Sequence, residues 1–364
     1  MTPATGKKTP AGDRRGAASP RRINLALQGG GAHGAYTWGV LDRLLESDEV
    51  EIAAISGTSA GALNGAALKA GLARNGREGA RETLNWLWSR MGAIDDMRMP
   101  AWMGGPAAWP AAQAMSRAME YSLPFAMADA AARLSSPYAW GPMWQNPLRP
   151  VVDDFDYGDV CAGEGPELHV CATNVRDGKI RVFTGDEIST DVILASACLP
   201  TIFQAVELDD PRTGRREAFW DGGYTGNPAL FPLFDPRLPA DVVIVNINPL
   251  ERDDIPVTPT QINNRINEIS FNSSLLRELR AIDFVQRLIQ MGKMPEAAMK
   301  YVLVHMISDD NLMQELSVAT KLMPNPVLLH RLKDAGRQAA GRFLAAHLDD
   351  LGERSSTDLR AMFD

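Results

Sequence analysis

Two apolar runs near the start of the chain each break into glycines and resume as a helix-like pattern. Ile23–Gln28 (INLALQ) leads into Gly29-Gly30-Gly31-Ala32-His33-Gly34, and Val50–Ser56 (VEIAAIS) leads into Gly57-Thr58-Ser59-Ala60-Gly61. After the first turn, Leu41, Leu44 and Leu45 recur at helical spacing. After the second comes AGALNGAALKAGLA, where Gly61 and Gly65 allow close packing. A repeated strand–turn–helix order with short connections is the start of a parallel βαβ arrangement. The expected fold is therefore α/β, with helices covering a mainly parallel central sheet.

Further strand-like runs follow in ELHVCATNV, KIRVFTG, EAFWDGG, DVVIVNINP and KYVLVHMIS. Two long helical patterns lie among and after them, TQINNRINEISFNSSLLRELRAIDFVQRLIQMG and NPVLLHRLKDAGRQAAGRFLAAHLDDL. No internal repeat or linker divides the 364 residues. We expect a leader over 1–22, one domain over 23–350 and a tail over 351–364. Residues 91–150 hold eight of the sixteen Met and four of the eight Trp, with recurrent Pro. This stretch reads as an inserted group of short helices and loops. It is either a satellite core or a lid-like acyl wall to which Trp102 and Trp109 would contribute.

The net charge of −8 disfavours a nucleic-acid partner. The first 22 residues carry +5, which leaves −13 for the rest. That leader lacks the apolar core of a signal peptide and reads as a solvated, disordered segment, with a weak electrostatic tether as the alternative. Three widely separated cysteines, Cys161, Cys171 and Cys198, suggest neither a metal site nor a disulfide framework, so a cytoplasmic location is expected. No stretch suits a bilayer core.

Gly29-x-Gly31-x-x-Gly34 formally matches a dinucleotide fingerprint, but the acid expected at the end of the second strand is replaced by Ser56-Gly57-Thr58-Ser59. The same glycines can instead present backbone amides to a developing oxyanion, joined by the Ala60 amide at a helix N-terminus. Gly57-x-Ser59-x-Gly61 is the pattern of a nucleophilic serine on a sharp strand-to-helix turn; a serine that N-caps the helix is the simpler alternative. Ser59 needs a base. His169 and His305 fall inside strand-like runs, His330 and His347 in the last helix, and His33 in the glycine loop without an evident acid to orient it. Asp221, at a strand end before Gly222 and Gly223, is the better candidate, working through proximity and the oxyanion donors.

The ordered set Gly29–Gly34, Gly57–Gly61 and Asp221-Gly222-Gly223 resembles the patatin-like phospholipases. LASACLPTIFQ (Leu194–Gln204) and Asn227-Pro228 are similar to the family's intervening and following segments, and the likeness covers roughly residues 23–250. The resemblance implies a three-layer α/β/α fold and a Ser–Asp dyad acting on acyl esters of lipids. Carried over, Ser59 is the nucleophile and Asp221 the base. Gly29, Gly30, Gly31 and Ala60 form the oxyanion hole, with Gly57, Gly61, Gly222 and Gly223 supporting the turns. No metal or organic cofactor is implied. The expected partner is a lipid or acyl ester, with peripheral membrane contact and an open oligomeric state. An esterase for soluble short-chain esters or an intracellular polyester, and an idle binding module, are the alternatives.

Overall fold

A computed structural model describes residues 19–92, 136–143, 145–253, 255–295 and 298–363, with isolated positions between 114 and 127. The Met/Trp-rich stretch, with Trp102 and Trp109, lies largely outside the described residues, as does most of the basic leader.

Eight strands form one sheet: β1 (Arg21–Leu27), β2 (Val50–Thr58), β3 (Glu167–Asn174), β4 (Ile180–Thr184), β5 (Val206–Asp210), β6 (Arg215–Asp221), β7 (Asp241–Val245) and β8 (Leu303–Ile307). The order is β5-β6-β3-β2-β1-β7-β8, with β4 also paired to β3. The pairs β1–β2, β1–β7, β2–β3 and β7–β8 are parallel; those joining β3, β4, β5 and β6 are antiparallel.

The central strands are apolar at nearly every position because both faces are covered. On one face Ile23, Leu25, Leu27, Val243 and Val245 pack with α1 (Gly34–Leu45), α2 (Ala60–Arg90), α3 (Thr190–Ser196) and a C-terminal helix. On the other, Ala26, Ala54, Val242, Ile244 and Val304 pack with Leu275, Leu279 and Ile282 of α4 (Pro259–Gln290). Alternate residues of the same strand thus enter opposite cores, as the period of two requires. Two further helices, α5 (Val318–Leu322) and α6 (Pro326–His347), follow the last strand. The architecture is the expected three-layer α/β/α fold.

Two features depart from the sequence reading. β5 was not foreseen: VELDD is acidic and pairs on one side only, with β6, a composition typical of a protected edge. Residues 351–363, expected as a tail, are docked on the sheet: Leu351 and Leu359 are buried, and the Thr357 amide donates to the Val304 carbonyl at 3.2 Å.

Candidate active site

β1 and β2 end side by side, with Leu27 opposite Gly57, so the two glycine turns emerge at one rim. Gly29 approaches so closely that a Cβ on it would stand 2.6 Å from the Ser59 Cβ. Gly61 presses on the Leu27 and Gln28 carbonyls and Gly57 on the Gly61 backbone, which ties the start of α2 to the end of β1. Ser59 sits at φ 54°, ψ −121°, and is the only non-glycine residue with positive φ among those described. A backbone in such a region is disfavoured by about 1–3 kcal/mol and persists only when its surroundings enforce it. Here they do: the Ser59 amide donates to Ser196 Oγ at 2.9 Å, and Ser196 Oγ–H donates to the Cys171 carbonyl at 2.6 Å. The Ser59 side chain makes no capping hydrogen bond to α2, so capping does not account for it.

Asp221 reaches the same place by another route. β4 lies along one edge of β3 from residue 169 to 173. The opposite edge is shared: β2 pairs with residues 167–171 and β6, running the other way, with residues 172–174. The ends of β2 and β6 therefore meet head to head, Thr58 opposite Cys171 and Asp221 opposite Ala172. Gly222 allows this contact, since a Cβ there would strike the Cys171 carbonyl. The Asp221 amide donates to the Cys198 carbonyl at 2.8 Å, and Oδ1 accepts from the Gly223 amide at 2.8 Å.

Ser59 and Asp221 are 8% and 1% exposed, a buried hydroxyl and a buried carboxyl without a salt bridge. Burial pushes the Asp221 pKa up to about 7, against the lowering effects of the Gly223 amide and a hydrogen bond from the Ser59 side chain. The latter bond is not fully seated, because Oδ2 has no partner of good geometry. One carboxylate oxygen is thus anchored and the other is available beside the serine.

The glycine loop is held from behind by a polar network that the sequence reading missed. The Gly29 amide, expected among the oxyanion donors, is engaged with Asn227 Oδ1 at 2.7 Å, so Gly29 anchors the loop instead. Asn248 Nδ2 donates to the Gly29 carbonyl at 2.7 Å, and Asn248 Oδ1 accepts from Lys321 Nζ at 3.3 Å. Gln28 Oε1 accepts from the Ile247 and Asn248 amides at 2.8 and 3.1 Å. The amides of Gly30, Gly31 and Ala60 have no hydrogen-bond partner among the described residues. Ser196 lies inside the LASACLPTIFQ segment and Gln28 directly before the glycines, so both were in view; Asn248 and Lys321 carried no local signal.

The histidines lie apart from this pair. His33 is buried with Nε2 2.8 Å from Thr320 Oγ1, and burial, reinforced by Lys321, holds its pKa well below the usual value. His305 bonds Asp241 at 3.0 Å, His347 bonds Asp350 at 2.8 Å, His169 is in β3 and His330 packs on Trp38. None has a hydrogen bond to Ser59 or Asp221. Among the described residues, no cluster of three or more His, Cys, Asp or Glu could hold a metal ion, and no helix is long and apolar enough to cross a membrane.

No curated protein sequence matches the chain. Among solved structures, VipD from Legionella pneumophila aligns with a TM-score of 0.42 at 13% identity, over 90% of this chain and 67% of that one. ExoU of Pseudomonas aeruginosa, in its complex with SpcU, aligns with a TM-score of 0.34 at 15% identity, over 91% of this chain and 53% of its own. The sequence profile described as patatin-like phospholipase matches residues 25–234, a span that holds both glycine turns, Ser59 and Asp221. The chain belongs to the patatin-like phospholipase family.

Proposed function

We propose that the protein is a serine lipid acyl hydrolase in which Ser59 and Asp221 form a catalytic dyad. The observation that carries this reading is the head-to-head meeting of β2 and β6 on one edge of β3. It sets a strained serine beside a buried, half-anchored carboxyl.

In the reaction, Ser59 Oγ attacks the acyl carbonyl carbon while its proton passes to Asp221. The tetrahedral oxyanion is stabilised by the free amides of Gly30, Gly31 and Ala60, with the N-terminal dipole of α2 adding to them. Collapse breaks the ester bond, and the departing alcohol or lysolipid takes the proton from Asp221. Water then attacks the acyl-serine, gives its proton to Asp221, and fatty acid leaves as Ser59 is reprotonated.

The pKa of about 7 suits a base that must accept and return a proton near neutrality. The Gly29–Gly30 peptide is the part of the oxyanion loop most affected by its support. Its carbonyl accepts from Asn248, itself bonded to the Lys321 ammonium, and polarising the carbonyl makes the Gly30 N–H a stronger donor.

The test is fluorophosphonate labelling, with the modified residue located by mass spectrometry, together with fatty-acid release from mixed phospholipid vesicles. Adduct on Ser59 with fatty acid released supports the proposal. Adduct with turnover of soluble esters alone would make the protein a short-chain or polyester esterase. No adduct on the folded chain would leave a binding module.

A further inference from the structure

α4 carries two apolar stripes on opposite faces. The first, Leu275, Leu279 and Ile282, is buried in the core. The second, Ile262, Ile266 and Ile269, recurs at i, i+4 and i+7 on the far side of the helix and is 42%, 57% and 54% exposed. Ile255 and Val257, just before the helix, extend it at 84% and 78% exposure. One core-facing stripe accounts for packing on the sheet; the second has no such use. Contiguous exposed apolar surface of this kind marks an interaction site.

Its position ties it to the active site. Asn272 donates to the Pro249 carbonyl at 3.0 Å, next to Asn248, which holds the glycine loop. Phe271 lies 5.1 Å edge-on from Tyr224 in the turn after Asp221. The middle of α4 is thus pinned at the catalytic rim, and the chain from Pro249 runs alongside the helix toward its start, where Arg265 donates to the Leu250 carbonyl at 3.4 Å and to Glu268 at 3.5 Å. The part of α4 before Phe271 is about 18 Å long at 1.5 Å per residue.

The prominence is also uncharged. From 255 to 269 the exposed positions among the described residues are Ile, Val, Pro and Asn. Arg265 and Glu268 are turned inward and paired with each other, and Glu268 also binds Arg252 and Lys321. Glu251 and Asp253 are exposed at its base, in a chain of net charge −8.

We propose that this face docks the protein on an uncharged or zwitterionic lipid surface, placing the mouth of the Ser59–Asp221 site against the membrane. The proposal rests on the lipid hydrolase reading. An acyl ester in a bilayer must leave its apolar phase to reach a buried serine, and an apolar prominence at the rim shortens that path. The acidic base and net negative charge exclude an anionic surface as the preferred one.

The experiment is co-sedimentation of the full chain, in a Ser59→Ala background so that lipid stays intact, with phosphatidylcholine vesicles and with vesicles containing phosphatidylglycerol. Wild-type face and the double variant Ile262→Asp/Ile266→Asp are compared, with melting curves, sedimentation velocity and, in the Ser59 form, hydrolysis of a soluble acetate ester. Expected are vesicle partitioning weakened at least tenfold by the double variant, weaker binding as phosphatidylglycerol rises, and soluble-ester hydrolysis within about twofold of wild type. Equal partitioning of both forms, or none for either, overturns the proposal. A dimer that dissociates in the variant without vesicle binding assigns the face to a second copy and also overturns it. A partitioning difference in a chain without ester hydrolysis supports docking while overturning the hydrolase reading.

Discussion

Thr58 and Asp221 occupy consecutive positions along one edge of β3, opposite Cys171 and Ala172, although they end strands that run in opposite directions. Ser59, the proposed nucleophile, follows Thr58 directly, so the register of β3 sets the distance between it and Asp221. A shift of either strand by one residue would turn its side chains to the other face and separate the pair.

Ser59→Gly is expected to abolish ester hydrolysis and fluorophosphonate labelling while raising stability by about 1 kcal/mol. Glycine relieves the positive φ, an effect of about 1–3 kcal/mol, against its own entropic disadvantage of about 0.5–1 kcal/mol. Ser59→Ala should be equally inactive without that gain. Denaturant midpoints of the three proteins, measured in parallel with labelling, check the prediction.

Activity should rise with pH through about 7, because only ionised Asp221 accepts the serine proton. Stability should move the other way. Burial raises the folded-state pKa from 3.8 to about 7, so between those values the folded chain holds a proton that the unfolded chain has lost. This group's contribution is therefore complete below pH 4 and falls as pH rises to 7, by up to about 4 kcal/mol at the linkage slope. Asp221→Asn removes the ionisation. Its kcat should drop by several orders of magnitude, while its stability matches wild type near pH 4 and exceeds it at pH 8. Urea melts at both pH values decide the matter; a variant less stable than wild type at pH 8 would contradict it.

Asn248→Ala should lower kcat by about tenfold or more with little change in KM. The Gly29 carbonyl loses its shorter donor, keeping only the 3.4 Å contact from Asn227 Nδ2, and the Gly30 N–H is less strongly polarised and less firmly placed. Removing a whole oxyanion donor typically lowers kcat by about 10²–10³, and weakening one should fall short of that. Steady-state kinetics on a soluble ester, with the fold checked by circular dichroism, separates this from unfolding. A rise in KM alone would assign Asn248 to binding.

Ser196→Ala should destabilise the protein by about 1–3 kcal/mol, since the buried Ser59 amide and Cys171 carbonyl each lose a partner. It should also slow serine acylation, because the backbone held at φ 54° is released. Ser196→Thr, which keeps the hydroxyl, should recover part of both. Fluorophosphonate labelling rates beside thermal melts provide the comparison.

Much of the site was legible in the chain because its signals are local. A strand that ends in Gly-Gly-Gly, a strand that ends in Gly-x-Ser-x-Gly and a strand that ends in Asp-Gly-Gly are each written in a few consecutive residues. Steric necessity explains their glycines: Gly29 and Gly222 touch the backbone or side chain of the partner turn. The apolar runs of β1, β2 and β7 were equally plain, because strands covered on both faces need no polar alternation. β5 was not, since an acidic edge strand lacks that signature.

Whether Gly29 donates to an oxyanion or anchors the loop depended on where Asn227 arrives, almost two hundred residues along the chain. The supports from Asn248 and Lys321 come from beyond the span matched by the family profile, and a single polar residue in a loop does not announce what it will face. The exposed stripe on α4 could be read as helical periodicity from the sequence, but which of its two apolar faces enters the core could not. Local patterns were thus determined by the sequence itself, through backbone sterics and hydrophobic period. The pairing of Ser59 with Asp221, the engagement of each glycine amide and the face of α4 left in solvent were decided only by the tertiary structure. Each depends on the meeting of segments distant in sequence, and strand register and packing alone select which ones meet.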